Sequence, residues 1–77
     1  MREGLSHALR MTLGVNLRAE RHRRAMTQES LAEQLGITSR YLAGIERGER
    51  NLTLDSIEVL AAELGVDPHS LLAPPRR

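Results

Sequence analysis

Apolar residues recur along the chain at spacings of three and four, and no stretch alternates apolar and polar residues as a half-buried strand would. Leu, Ala, Glu and Arg are frequent, and all four favour helices, so the pattern predicts an all-α domain of five helices. The first helix is expected over about residues 12–24, with Leu13 and Leu17 on its inner face. The other four are predicted over residues 28–35, 39–47, 54–64 and 68–73.

These four helices begin with one shared pattern, in which an apolar residue precedes a Thr or Asp and a second apolar residue follows in the next turn. The Thr or Asp oxygen accepts a hydrogen bond from a free backbone N–H, and the apolar pair packs beside it. The predicted N-caps are Thr27, Thr38, Thr53 and Asp67. Gly36, Gly48 and Gly65 each follow a predicted helix end, where a left-handed residue is favoured.

The two ends of the chain are less regular. Gly4 and Gly14 weaken the first helix, so residues 1–12 are predicted to form an N-terminal arm or an extension of that helix. Two consecutive prolines cannot continue a helix, so residues 74–77 are predicted to be a disordered tail. Residues 13–73 form the predicted domain, whose small core is a reason to expect a partner subunit.

Residues 27–48, TQESLAEQLGITSRYLAGIERG, predict a helix-turn-helix. Two helices of about eight residues would cross steeply around a short turn at Gly36, with Ala32 where they approach most closely. The residues expected to face the core or the turn are Leu31, Leu35, Ile37, Leu42 and Ile45.

The second helix of this motif has an outward face of arginines and small side chains. On a helical wheel, Arg40 and Arg47 lie opposite the apolar residues, and Ala43 and Gly44 lie beside them. This shape would let the helix backbone sit deep in a DNA groove while Arg reaches base edges or phosphates. The alternatives are a solvated Arg40, an Arg47 that complements the helix dipole, and an indifferent surface glycine.

Composition and charge narrow the remaining function classes. The net charge is +1, but residues 1–27 carry six Arg against two Glu, while the rest of the chain is net acidic. All of the Lys and Arg positions are Arg, which suits bidentate recognition of phosphate and guanine, although biased codon usage explains the absence of Lys equally well. With one Tyr and no Phe or Trp, the chain lacks the stacking platforms of single-strand binders.

Catalytic and metal chemistry have little support in the sequence. The chain has no Cys, which excludes disulfides and thiolate zinc sites and permits a reducing, cytoplasmic compartment. His7, His22 and His69 lie on separate predicted segments, so neither a metal nor a cofactor is expected. Asp67, His69 and Ser70 share one helical turn, which cannot supply the geometry of a catalytic triad. The apolar runs are short and are interrupted by charged residues, so no membrane span is expected.

The sequence resembles the lambda-repressor-like, Xre-type helix-turn-helix regulators over about residues 13–72, and among them the short dimeric controller proteins of restriction-modification systems. The resemblance is carried by the segments LGVNLRAERHRRAMTQESLA, QLGITSRYLAGIERGERNLTLDSI and LAAELGVDPHSLL. Two positions depart from the family pattern: Ala25 stands where members often have Gly, and Leu52 stands where many have Pro. Leu52 after Arg50 and Asn51 looks more like the controller subgroup.

The resemblance implies a non-enzymatic, five-helix regulator of transcription that binds a (pseudo)palindromic operator in duplex DNA as a homodimer. It implies that Gln28 contacts a phosphate and that Arg21 and Glu46 form a structural pair between the first and third helices. We expect the Tyr41 hydroxyl to contact a phosphate, although shielding of the domain edge is an alternative role. The predicted DNA-binding residues are Gln28, Thr38, Ser39, Arg40, Tyr41, Ala43, Gly44, Arg47, Arg50 and Asn51.

Val59 points away from the apolar stripe of its helix, so it is a candidate dimer contact together with Leu71 or Leu72, although a lone exposed Val is common. The alternative function is an antitoxin or a protein-interaction adaptor with the same fold, which would present larger apolar anchors than Arg40 and Arg47 do. As a regulator, the protein is expected in the cytoplasm, associated with the nucleoid and in contact with the transcription machinery.

Overall fold

A computed structural model describes the backbone of residues 3–75 and the side chains of residues 8–75. Within those residues the chain forms five α-helices and no β-strand, which confirms the predicted all-α, five-helix class. The helices are α1 (Glu3–Arg23), α2 (Gln28–Leu35), α3 (Ser39–Glu46), α4 (Leu54–Leu64) and α5 (Pro68–Leu72).

Local hydrogen bonds fix the boundaries of the four shorter helices. Each has an N-cap side chain that accepts a hydrogen bond from a backbone N–H of the first turn, and these caps are Thr27, Thr38, Thr53 and Asp67. Gly36 and Gly65 end α2 and α4 with φ angles of 72° and 70°, a left-handed conformation that a side chain disfavours. Both helices therefore span the predicted residues, while α3 and α5 each end one residue earlier than predicted.

The first helix is longer than the sequence pattern indicated. It begins at Glu3 instead of near Thr12, so the described part of the predicted 1–12 segment extends α1 and is not an arm. Gly14 is buried where α1 meets α3, and a Cβ atom there would lie only 2.5 Å from the carbonyl oxygen of Ile45. This glycine therefore serves a close approach of two backbones and does not mark a frayed end.

The structure describes only part of each end of the chain. Met1 and Arg2 lie outside the described residues, as do residues 76–77 of the predicted tail. Pro74 and Pro75 follow α5 without regular structure. Across residues 3–75, none of the helices combines the length and the apolar character needed to cross a membrane.

A single apolar core joins all five helices. The side chains of Leu17, Leu31, Leu42 and Ile45 are fully buried at its centre. Ala32 is also buried, as expected for the point where α2 and α3 meet, and Ile37 covers the turn from a partly buried position. The other buried apolar residues are Leu13, Leu35, Ile57, Leu60, Ala61, Leu64 and Leu71. Because α1 packs on both α3 and α5, it ties the helix-turn-helix to the end of the domain.

Polar contacts that the sequence pattern did not reveal fix α1 against the rest of the fold. The side-chain amide of Asn16 donates hydrogen bonds to the carbonyls of Leu71 and Ala73, at 2.9 and 2.7 Å, and so satisfies free groups at the end of α5. Glu20 is buried and accepts a hydrogen bond of 3.0 Å from Nε of Arg24. The guanidinium of Arg24 also donates to the carbonyl of Leu64 at the end of α4.

Candidate nucleic-acid interface

The segment from α2 to α3 forms the predicted helix-turn-helix. The backbone N–H of Ile37 donates to the carbonyl of Ala32 at 3.0 Å, which closes the turn after α2. Thr38 then caps α3 by accepting a hydrogen bond of 3.0 Å from the N–H of Tyr41. Since Leu42 is fully buried on the inner side, α3 is held by its apolar side, and its opposite side faces away from the core.

We define the outer flank of α3 as Ser39, Arg40, Ala43 and Arg47. Both arginines are exposed, whereas Ser39 and Ala43 are half-buried and small. The two cations therefore project beyond a low surface formed by short side chains. Such a surface can approach a DNA groove closely, because little bulk separates the helix backbone from the partner.

Gly44 is buried and does not belong to this exposed surface, so the prediction that it lies on the outward face of α3 is wrong. The glycine is buried because the side chain of Arg50 lies across it, with Nε 2.9 Å from the position that a Cβ atom would occupy. The Arg50 guanidinium continues over the ring of Tyr41, 5.3 Å from its centroid. The helical wheel missed this contact because Arg50 comes from the loop after α3.

The loop after α3 also carries exposed polar residues. Arg50 and Asn51 are exposed, and Tyr41 is partly buried. Arg47 Nη2 donates a hydrogen bond of 3.0 Å to Oε1 of Glu49, a residue that the sequence analysis did not single out. The hydrogen bond from Arg47 holds the pKa of Glu49 below its ordinary value and raises the pKa of Arg47. A carboxylate two positions after an outward Arg was the signal that could have found this pair.

The structure brings the predicted structural pair Arg21 and Glu46 together. Nε and Nη2 of Arg21 donate to the two carboxylate oxygens of Glu46 at 2.8 and 3.1 Å, in a bidentate arrangement that ties α1 to the last residue of α3. Burial of Glu46 opposes its ionisation, but the hydrogen bonds from Arg21 and Gln28 and the charge of Arg21 together bring its pKa below the ordinary value. The carboxylate is therefore ionised and fixed at neutral pH.

Gln28 is the first residue of α2 and takes part in the same network. Its side-chain amide donates to Oε1 of Glu46 at 3.0 Å, so one of its two amide hydrogens is used inside the protein. A phosphate could still accept the second amide hydrogen or a free backbone N–H at the start of α2. The contacts of Arg21, Gln28 and Glu46 thus connect α1, α2 and α3 at one point.

The candidate dimer contacts lie in three different environments. Leu71 is only 2% exposed within the core, so of the two alternatives Leu71 and Leu72 it is not available as a dimer contact. Val59 is 60% exposed and Leu72 is half-buried. Leu54, which the sequence pattern did not single out, is 75% exposed and lies at the edge of two apolar grooves that also include Ile57 and Leu72. As the first residue of α4, Leu54 gave no periodicity signal that separated it from a core position.

His22 and His69 lie far apart in the chain, and the side chain of His7 lies outside the described residues. His69 Nδ1 lies 2.9 Å from Oδ1 of Asp67, which also accepts a hydrogen bond from the His69 backbone and so acts as a helix cap. His22 is exposed at the end of α1. Across the described side chains, no three His, Asp or Glu residues are grouped in a way that could hold a metal ion.

Comparison of the sequence with known protein families gives a match. The helix-turn-helix family HTH_3 matches residues 17–71. A hypothetical transcription factor of Neisseria meningitidis is 41% identical over 68 residues, which cover 88% of this chain and 64% of the relative. The control protein C.BamHI of Bacillus amyloliquefaciens is 38% identical over 69 residues, which cover 88% of this chain and 85% of the relative.

A solved structure is also similar in both sequence and shape. The restriction-modification controller protein C.AhdI from Aeromonas hydrophila superposes with a TM-score of 0.74 at 37% identity, over 84% of this chain and 94% of the controller protein. This chain thus spans less than two thirds of the Neisseria relative but most of the length of both controller proteins.

Proposed function

The chain belongs to the HTH_3 helix-turn-helix family, and from that premise we propose that it is a transcription regulator that binds a specific duplex operator as a homodimer. The outer flank of α3 is the observation that carries this proposal. Its two exposed arginines flank small side chains on a helix whose other side is locked into the core. An α-helix of this kind fits the major groove, where Arg can read guanine.

The buried hydrogen bonds behind α3 fix the position of this helix, which supports its proposed role in recognising DNA. Glu46 ends the helix and is held by Arg21 from α1 and by Gln28 from α2. Because base readout depends on side chains placed to within about an ångström, a recognition helix gains from such fixed anchoring. We propose that Gln28, Arg47, Arg50 and Asn51 contact the DNA backbone or adjacent bases beside the groove, while Arg40 reads a base.

We propose that two copies meet through the face around Leu54 and Leu72. Leu54 is the most exposed of the large apolar residues in the described chain, and it lies between two grooves lined by apolar side chains. A two-fold interface needs a patch that complements itself, which a projecting Leu beside an open apolar groove provides. Val59 lies about 140° further round α4, so it belongs to another face.

Selection of bound duplexes from a random pool tests the function. We expect one (pseudo)palindromic sequence to be enriched, with half-sites whose centres are about 34 Å or a multiple of a helical turn apart. Titration of that duplex at two salt concentrations then separates specific from sequence-independent binding. Failure to enrich any sequence would argue against an operator-binding regulator and would favour the antitoxin or adaptor alternative.

A matched pair of variants tests the interface. Leu54→Glu should give a monomer in sedimentation and weaker operator binding, because two carboxylates would face each other across the two-fold axis. Val59→Glu adds the same charge to the same helix and should leave the dimer intact. Because Leu54 is 75% exposed and a carboxylate in the first turn of α4 is favourable to the helix, Leu54→Glu should remain folded, and circular dichroism of the variant checks this. The reverse outcome would assign the interface to Val59.

As a regulator of this kind, the protein would act in the cytoplasm on the nucleoid and would contact the transcription machinery beside its operator. Cross-linking at the operator, in the presence of RNA polymerase, tests that contact. Cross-links from the operator-bound protein to DNA but to no RNA polymerase subunit would contradict this contact.

A further inference from the structure

Glu49 is the carboxylate that lies against the outer flank of α3. Its Oε1 accepts a hydrogen bond of 3.0 Å from Nη2 of Arg47, and both side chains are well exposed, at 58% and 60%. The positive charge of Arg50 also acts on Glu49 and helps to lower its pKa. One negative group is therefore located among cations that the proposed function assigns to DNA.

The other carboxylate of this region has a different role. Glu46 is almost fully buried and is committed to Arg21 and Gln28, so it does not face the outer flank. Glu49 has no comparable internal partner, and its contact with Arg47 lies entirely at the surface. An exposed ion pair of this kind contributes little to the free energy of folding. We therefore expect the main effect of the Arg47–Glu49 pair to be on DNA binding.

We propose that Glu49 competes with a DNA phosphate for Arg47 and thereby sets how tightly the protein binds any duplex. This inference rests on the proposed function. A phosphate can accept the Nη2–H of Arg47 that Glu49 now accepts only if this hydrogen bond breaks, and the released carboxylate then lies near a second negative group. Both effects oppose binding. Because phosphates are the same in every sequence, the opposition applies equally to operator and random DNA.

The first experiment compares Glu49→Gln with the intact protein on two probes, the operator selected from a random pool and a random duplex of equal length. We expect both probes to bind about twofold to fivefold more tightly per subunit, with an unchanged ratio between them. The salt dependence should become steeper by at most about 0.9 per subunit, the value of one full phosphate contact, because Arg47 then makes that contact in a larger fraction of the complexes.

Glu63→Gln provides the matched control. Glu63 is exposed on α4, away from the outer flank, and the substitution changes the net charge by the same amount. If Glu63→Gln tightened binding as much as Glu49→Gln, the effect would be one of overall charge and the proposal would be overturned. An unchanged affinity for Glu49→Gln would overturn it as well.

A double-mutant cycle tests whether Arg47 carries the effect. In an Arg47→Gln background, Glu49→Gln should tighten binding less than it does in the intact protein, because the ion pair is already absent and only the repulsion between Glu49 and the DNA remains to be relieved. A gain of the same size in both backgrounds would show simple repulsion between Glu49 and DNA and would overturn the competition. Failure of the proposed function is distinguishable, since the intact protein would then select no duplex at all.

Discussion

The side chain of Arg50 lies across Gly44, so that a Cβ atom on the glycine would come within 2.9 Å of the guanidinium nitrogen Nε. The same side chain then covers the ring of Tyr41. The loop after α3 therefore forms part of the surface of α3 itself. Gly44 is needed inside the protein for this arrangement, and the exposed flank consists of Arg40, Arg47 and the small residues beside them.

We expect Gly44→Ala to change the free energy of unfolding by no more than about 1 kcal/mol. Alanine favours a helix interior over glycine by about that amount, and the group it would meet is a flexible side chain that can move aside. Urea denaturation measures the change. Displacement of Arg50 should also weaken operator binding, which a titration with the selected duplex detects.

Gly14→Ala is the matched comparison, because the obstacle there is backbone. A Cβ atom would lie 2.5 Å from the carbonyl oxygen of Ile45 and 2.6 Å from that of Glu46, so α1 and α3 would have to separate. We expect a loss of about 1 to 3 kcal/mol of stability in the same urea experiment. Equal stability of the two variants would contradict this distinction between side-chain and backbone contact.

Ala25→Gly should stabilise the protein by about 1 kcal/mol. Ala25 has a φ angle of 55°, which places its Cβ close to the following carbonyl, and glycine removes that conflict. Gly36→Ala should destabilise the protein, because the φ of Gly36 is 72° and this left-handed conformation disfavours a side chain. No other atom lies near the added carbon, so backbone strain is the only cost. Thermal unfolding of both variants checks the two signs. A destabilised Ala25→Gly would mean that the entropy lost by glycine on folding outweighs the relief of strain.

Stability should fall at acid pH through Glu46. Burial alone would raise its pKa, but the hydrogen bonds from Arg21 and Gln28 and the charge of Arg21 bring it below the ordinary value. A lowered pKa in the folded state contributes stability that is complete above the unfolded value of about 4.3 and is lost as the pH falls through the folded value. At neutral pH, Glu46→Gln should cost about 1 to 3 kcal/mol, because Arg21 loses a charged partner.

The pH dependence of this difference is the decisive measurement. Urea midpoints of the intact protein and of Glu46→Gln should begin to converge as the pH falls below the unfolded value of about 4.3, and they should meet below the folded pKa of Glu46, where its carboxylate is protonated in both states. A constant difference over the whole pH range would contradict the assignment. Glu49→Gln serves as a control, because its exposed pair with Arg47 should contribute little to stability.

Arg40→Ala and Gln28→Ala should separate base readout from phosphate contact. We expect Arg40→Ala to lose about 1 to 3 kcal/mol of operator binding and to relax the preference at one base position in each half-site. We expect Gln28→Ala to weaken binding to all duplexes alike, because a phosphate carries no sequence information. Titrations over a series of operator variants distinguish these outcomes. Uniform weakening by Arg40→Ala would reassign that residue to a phosphate.

Residues near one another in the chain determined most of the helix boundaries. Thr27 and Gly36 at the two ends of α2, and Thr53 and Gly65 at the ends of α4, make their hydrogen bonds within a few residues, so the sequence pattern predicted both helices over their observed ranges. The apolar spacing likewise identified the buried side of α3 and hence the direction in which Arg40 and Arg47 point.

Only the tertiary structure decided the features that depend on distant parts of the chain. Three such features are contacts between separate elements: carbonyls of α3 lie against Gly14, the stem of Arg50 lies across Gly44, and the amide of Asn16 binds the end of α5. A periodic pattern shows which side of a helix is apolar, but it does not show which atoms from another element fill the space beside it. Packing of those atoms turned Gly14 and Gly44 into internal contacts and left Leu54 exposed.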